Sequence, residues 1–235
     1  MSDFDFGAFD ALTFDCYGTL IDWEQGIINA LQPVLAAHDI DADGDELLER
    51  YARHEAALEA GIYERYRDVL ADSVRGLCAE LGVDVPDEDA RGFAEAIGHW
   101  PAFPDTAAAL HRLRSRFRLG VITNCDRDLF ALSNRRLGVT FDWVVTAEEA
   151  RAYKPSYAPF ELAFATIDVP RDRILVQADL YDSTWQQHLW GENVLKNIEQ
   201  RKLKVDKDVP VHGAIEPFQQ MVKNIKDKPS LPAAN

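Results

Sequence analysis

Ala11-Leu-Thr-Phe-Asp15-Cys-Tyr17-Gly18-Thr19-Leu-Ile-Asp22 is the stretch that decides the fold. A short run of β-favouring residues ends in a carboxylate, and a glycine and a hydroxyl residue follow at once. The end of such a strand presents its last side chain into the crevice where open α/β sheets bind ligands. Gly18 permits a sharp turn there, and the amides after Asp15 become available to an anion. An aspartate so placed can act as a nucleophile and pass through a covalent ester. Taken alone, the stretch reads equally well as a buried strand flanked by a capping aspartate.

Three further segments weigh against that plainer reading. Leu119-Gly-Val-Ile-Thr123-Asn124 is a second apolar strand ending in a hydroxyl and an amide. Ala152-Tyr-Lys154-Pro155 sets one lysine before a proline, ahead of an expected helix. Ile174-Leu-Val-Gln-Ala-Asp179-Leu-Tyr-Asp182 is a third strand, closing on two carboxylates. Aspartate, threonine, lysine and acidic residues, each at or near a strand's C-terminal end and in this order, resemble the four motifs of the haloacid dehalogenase superfamily. Within it, the segments Phe14 to Trp23, Trp100 to Thr106 and Thr146 to Pro155 resemble the type II 2-haloacid dehalogenases. The resemblance covers residues 9 to 182.

The chain has 235 residues, enough for one large domain or for a core with a smaller lobe. Its net charge of −15 argues against nucleic acid or an anionic membrane as partner, since both repel an acidic surface. A small anionic substrate remains compatible if the site itself is locally positive. Cys16, Cys78 and Cys125 are odd in number, widely spaced and without a CxxC pair. That pattern suits reduced thiols in a cytoplasm better than a disulfide framework. No signal peptide is read at the N-terminus, and no apolar run approaches membrane-spanning length.

Residues 23–99 read differently from their flanks. Ile27, Leu31 and Leu35 recur at helical spacing, as do Leu47, Leu48 and Tyr51, and then Leu70, Val74, Leu77 and Leu81. Strand-like runs are absent, so an insert of about four helices is expected, lying as a cap over the site and excluding water from it. From Trp100 onward strands alternate with helices: strand 119–123, a helix near 127–137 ending at Gly138, strand 141–146, a helix near 157–167 and strand 174–178. Such alternation implies a parallel sheet with right-handed crossovers. The expected fold class is therefore α/β: a Rossmann-like core of residues 1–22 and 100–235 carrying a helical cap of residues 23–99. Beyond the last motif the pattern changes. Sixteen arginines and one lysine stand up to Arg173, and one arginine and seven lysines after it, which marks a C-terminal segment unlike the family plan.

The resemblance assigns roles residue by residue. Asp15 is implied as the nucleophile that attacks the halogen-bearing carbon, and Lys154 as the cation that keeps it ionised in a desolvated site. Asp182 is implied as the group positioning or activating the hydrolytic water. Thr19 is expected to hydrogen-bond Asp15 or shape its loop, and Thr123 and Asn124 to bind the substrate carboxylate or orient the nucleophile. A cap arginine to receive halide is assignable to Arg50 or Arg53, with Arg53 carried as the candidate. Tyr17 discriminates best. Superfamily phosphatases carry a second aspartate two residues after the nucleophile, and general acid–base help of that kind is worth about 10²–10⁴-fold. Halide needs no proton to leave, so a tyrosine there favours dehalogenation, and Tyr17 is counted with the substrate-binding residues.

The expected activity is hydrolytic dehalogenation of short 2-haloalkanoic acids, without a cofactor. One alternative is a Mg²⁺-dependent phosphatase using Asp15, Asp179 and Asp182 as hard oxygen ligands. Another is a catalytically silent binding protein. A small anionic molecule is the expected partner, and a homodimer is what the resemblance suggests. Asp39-Ile-Asp41-Ala-Asp43-Gly44 opens like a calcium loop, but Arg50 stands where a bidentate glutamate belongs, so an acidic helix start is the better reading.

Overall fold

The computed structural model describes residues 8–177. Four parallel strands form one sheet: β1 (Ala11–Phe14), β2 (Arg118–Thr123), β3 (Trp143–Thr146) and β4 (Ile174–Gln177), in the order β3-β2-β1-β4. In register, Leu12 lies opposite Leu119 on one side and Leu175 on the other. The chain steps from β1 outward to β2 and β3, then returns to place β4 on the far side of β1. The direction of winding thus reverses at β1, and ligands of open α/β sheets bind outside the strand ends at such a reversal.

Between β1 and β2 run α1 (Trp23–Ala37), α2 (Gly44–Glu59), α3 (Tyr66–Glu80) and α4 (Asp87–Glu95), then a 3₁₀ turn at Ala96–His99, with no strand among them. Asp22 caps α1 by accepting from the Gln25 amide at 3.1 Å. Asp43 caps α2 by accepting from the amides of Asp45 and Glu46 at 3.0 and 3.2 Å. The acidic run at 39–43 therefore starts a helix, as its composition implied. Of the apolar positions that set the helical period, Ile27, Leu31, Leu35, Leu47, Leu48, Tyr51, Leu70, Val74 and Leu77 are buried, and Leu81, the residue that closes α3, is half-buried. At Gly26 a Cβ would stand 2.2 Å from the ring of Trp100, so only glycine lets α1 lie against the indole.

The second half adds α5 (Thr106–Arg114), α6 (Arg127–Leu137), α7 (Ala147–Ala150) and α8 (Ala158–Thr166). Strand periodicity sorts their contacts: Leu12, Phe14, Leu119 and Val121 join a core shared with α1–α6, whereas Ala11, Ile122, Val145 and Val176 pack with Ala163 and Ile167 at α8. Helices thus cover both faces of the sheet. The helical insertion is tied to the core by polar contacts: the Asp126 carboxylate accepts from the amides of Tyr66 and Arg67 at 3.0 and 3.1 Å, and the Tyr153 hydroxyl donates to the Glu64 carbonyl at 2.9 Å. Among the described residues no helix is long and apolar enough to cross a membrane.

Candidate active site

Asp15 directly follows β1, at the strand end where the winding reverses. The chain turns immediately after it. Gly18 adopts φ +90° and donates to the Ile21 carbonyl at 2.8 Å, while Leu20 and Ile21 donate to the Cys16 carbonyl at 2.7 and 2.9 Å. A side chain at position 18 would be strained at that φ, which explains the glycine. The Lys154 ammonium, from the loop between α7 and α8, donates to the Asp15 carboxylate. It also donates to the Ile122 carbonyl at 3.0 Å. The two side chains are 12% and 14% exposed, so the pair is shielded from bulk water yet reachable. Cys16 is fully buried, and burial pushes its thiol well above the ordinary range, which removes it as a rival nucleophile.

The remaining sequence candidates fall into three groups. Asn124 acts on Lys154: its amide oxygen accepts from the Lys154 N–H at 2.7 Å, and its amide nitrogen donates to the Lys154 carbonyl at 3.2 Å. These bonds make it a clamp on the lysine's backbone. Thr123 ends β2 and is buried, and its hydroxyl has no hydrogen-bond partner among the described residues. Thr19 shapes the loop through its amide, which donates to the Cys16 carbonyl at 3.3 Å, but its hydroxyl makes no bond to Asp15.

Tyr17 and Arg53 each have partners away from the Asp15–Lys154 pair. The Tyr17 hydroxyl turns inward, to Ser133 Oγ at 3.0 Å and Cys125 Sγ at 3.4 Å, and its ring meets Trp100 edge-on with centroids 5.7 Å apart. The hydroxyl of this residue, two positions after Asp15, is therefore satisfied by the core. Arg53 is 61% exposed and paired with Glu80 at 3.6 Å, and Arg50 reaches the same glutamate at 3.5 Å and also bonds Glu46. Adjacent helical turns of α2 and α3 bring these charges together, so both arginines serve the outer surface of the insertion. A cleft of about 730 Å³ flanked by Tyr63, Arg65, Arg67, Arg91 and Arg151 contains neither Asp15 nor Lys154.

Residues 9–176 match the family model described as haloacid dehalogenase-like hydrolase. The chain belongs to the haloacid dehalogenase-like hydrolases. It is 27% identical over 186 residues to (S)-2-haloacid dehalogenase H-109 of Pseudomonas putida, covering 76% of this chain and 81% of that protein. Its fold superposes on the defluorinating L-2-haloacid dehalogenase Rha0230 with a TM-score of 0.65 at 19% identity, over 72% of this chain and 73% of the other. The L-2-haloacid dehalogenase of Xanthobacter autotrophicus gives a TM-score of 0.63 at 20% identity, over 72% and 69% of the two chains.

In this haloacid dehalogenase-like hydrolase, two residues beside the strand ends escaped the sequence reading. Glu55 and Glu59 continue the buried face of α2 at i, i+4 spacing from Tyr51. Glu55 accepts from the hydroxyls of Tyr66 at 2.8 Å and Tyr51 at 3.4 Å. Glu59 Oε2 stands 3.5 Å from the Asn124 amide nitrogen. Burial raises both carboxyls well above the usual carboxylate range. For Glu55 the two tyrosine hydroxyls pull the other way; for Glu59 the neighbouring Glu55 adds to the rise, and Lys154 and Asn124 oppose it. The signal was available: a helical stripe of Leu47, Leu48 and Tyr51 should continue with apolar residues, and carboxylates occupy the next two places.

Asp179 and Asp182 lie outside the described residues. Among the described residues no group of three or more histidine, cysteine, aspartate or glutamate side chains could hold a metal ion. Of the three carboxylates suggested as Mg²⁺ ligands, Asp15 is the one the structure describes, and its neighbour is a cation.

Proposed function

We propose that this protein is a hydrolytic dehalogenase acting on short 2-haloalkanoic acids through an aspartyl ester on Asp15, without a metal. The observation that carries the reading is the Asp15–Lys154 pair at the sheet's reversal point, followed two residues later by a tyrosine bound into the core. The ammonium offsets the charge of the carboxylate in a site largely closed to water, which leaves an anionic nucleophile beside a cation that an anionic substrate can approach.

In the first step an Asp15 oxygen attacks C2 of the substrate, the carbon–halogen bond breaks, and the bonding pair leaves with the halide. Water then adds to the ester at the Asp15 carbonyl carbon, releasing the 2-hydroxy acid and restoring the carboxylate. Asp182 is the residue assigned to position that water. Halide departs without protonation, so the site functions with a phenol at position 17. The substrate is a small anion, and the (S)-2-haloacid dehalogenase relatives make 2-chloropropionate the first compound to try.

The test is halide release from each enantiomer of 2-chloropropionate, with and without EDTA, beside an Asp15→Ala control. Release that survives EDTA and vanishes in the variant is expected. Phosphatase activity that needs Mg²⁺, with no halide released, would sink the assignment.

A further inference from the structure

Glu59 stands beside the catalytic pair and has no part in the reaction as proposed above. It is the last residue of α2, partly buried, and it reaches the site through Asn124, which clamps Lys154, which pairs with Asp15. The helical insertion thus delivers one carboxyl group to the strand ends. Neither Arg50 nor Arg53 comes with it, since both pair with Glu80.

The charge balance determines which form of Glu59 is useful. With Asp15 ionised and Lys154 charged, the pair is close to neutral. An ionised Glu59 would leave net negative charge where an anionic substrate must enter. The groups facing Glu59 are Glu55 and Tyr51 from its own helix, Tyr66 from α3, Asp15 from β1, and Lys154 with Tyr153 from the loop after α7. Lys154 and the Asn124 amide, whose nitrogen stands 3.5 Å from Oε2, favour the anion, but Lys154 is already committed to Asp15 and Asn124 to the Lys154 backbone. Burial completes the case for a protonated group, raising Glu59 to about 9. A protonated carboxyl carries an O–H that donates, which an ionised one lacks.

We propose that Glu59 is a substrate-contacting residue whose carboxyl O–H donates a hydrogen bond to the anionic part of the bound 2-haloacid, the role a guanidinium would otherwise take. The acceptor is an anion, either the substrate carboxylate or the departing halide. Nothing is transferred in the step: the Asp15 oxygen–carbon bond forms, the carbon–halogen bond breaks with its electron pair on the halide, and the proton remains on Glu59. The inference rests on the dehalogenase reading for its substrate.

The experiment compares wild type, Glu59→Ala and Glu59→Gln on 2-chloro- and 2-fluoropropionate from pH 6 to 10. At pH 7, Glu59→Ala should lose about 10–100-fold in kcat/KM, the worth of one hydrogen bond to a charged partner. Glu59→Gln should recover most of that loss, because its amide N–H also donates and cannot ionise. Wild-type kcat/KM should fall as pH rises through the alkaline range, and the glutamine variant should lose that fall. A loss in KM shared by both substrates places the bond on the carboxylate; a loss in kcat that is larger for fluoride places it on the halide. Wild-type rates in Glu59→Ala overturn the proposal. So does a glutamine variant as impaired as the alanine one with the alkaline fall intact. Calorimetric titration of propionate into Asp15→Asn separates the two readings. Anion binding that weakens with pH and depends on Glu59, in a protein releasing no halide, overturns the dehalogenase reading and keeps the donor. Halide release and propionate binding that are both indifferent to Glu59 overturn the donor alone.

Discussion

Lys154 is the one lysine in the first 195 residues, and its ammonium lies on the Asp15 carboxylate with a second bond to the Ile122 carbonyl. Removing it leaves a shielded carboxylate without its cation, in a site that under the proposed function must also admit an anion. Lys154→Ala should therefore lower halide release by about 10²–10³-fold, the scale for losing one preorganised electrostatic partner, while circular dichroism stays native. Near-normal turnover would take Lys154 out of the chemistry. Asn124 acts one step back. Its amide holds both backbone polar groups of Lys154, so Asn124→Ala should misplace the ammonium and cost up to about 10²-fold in kcat, with KM changed far less. An equal rise in KM would return Asn124 to the substrate. The proposed catalytic pair is legible in the sequence, Asp15 from a strand end followed at once by a turn, and Lys154 from its place in the motif order that the resemblance supplies. The partners of Tyr17 and Arg53 are not legible in the sequence, because a side chain's direction depends on residues more than a hundred positions away in one case, and on the opposite helix in the other.

The helices show where local pattern is enough and where it fails. Periodicity places α1, α2 and α3, whereas α4 has no apolar stripe of its own in the sequence reading; Gly138 closes α6 in the left-handed conformation at φ +67°, as a glycine after a helix should. The start of α3 was illegible. Its own N-cap residue, Arg65, provides no capping side chain, and the orphan amides of Tyr66 and Arg67 are met by Asp126, the residue preceding α6. A cap supplied from sixty residues away leaves no local signature. It also fastens the helical insertion to the sheet, because Asp126 is fully buried and Arg65 and Arg67 approach the same carboxylate at 3.6 and 3.4 Å. Asp126→Ala should destabilise the protein by about 2–4 kcal/mol, the range for losing charge-assisted bonds to two buried donors. Asp126→Asn should recover part of it, since its amide oxygen still accepts. Urea unfolding measures both, and a loss under about 0.5 kcal/mol, the level of an ordinary surface change, would refute the cap. Gly26→Ala tests the other junction: the added methyl meets the Trp100 ring, and overpacking of this kind costs about 1–3 kcal/mol.

At the scale of the molecule, a net charge of −15 surrounds two partly buried glutamates that favour the protonated form. The fold therefore holds protons at neutral pH that the unfolded chain releases, and stability must fall as pH rises. The direction follows from the raised carboxyls: their contribution is whole below the ordinary carboxylate range and is lost progressively until the folded protein itself ionises, at about 9 for Glu59. The acid side is weaker. Asp10, Asp128 and Asp168 are lowered by their arginine partners, so they favour the fold above the ordinary aspartate range, but all three are substantially exposed and screened by solvent. Cysteine and tyrosine groups raised by burial stay neutral in both states over most of the interval. Wild type should thus unfold at progressively lower urea concentration as pH goes from 5 to 9, and Glu55→Gln/Glu59→Gln should flatten that slope. Taking the difference between the two proteins cancels contributions that both share, including the six histidines. Parallel slopes would mean that the glutamates are ionised in the folded protein. The insertion would then bring negative charge to the strand ends, and the anionic substrate would have to be drawn in by Lys154 alone.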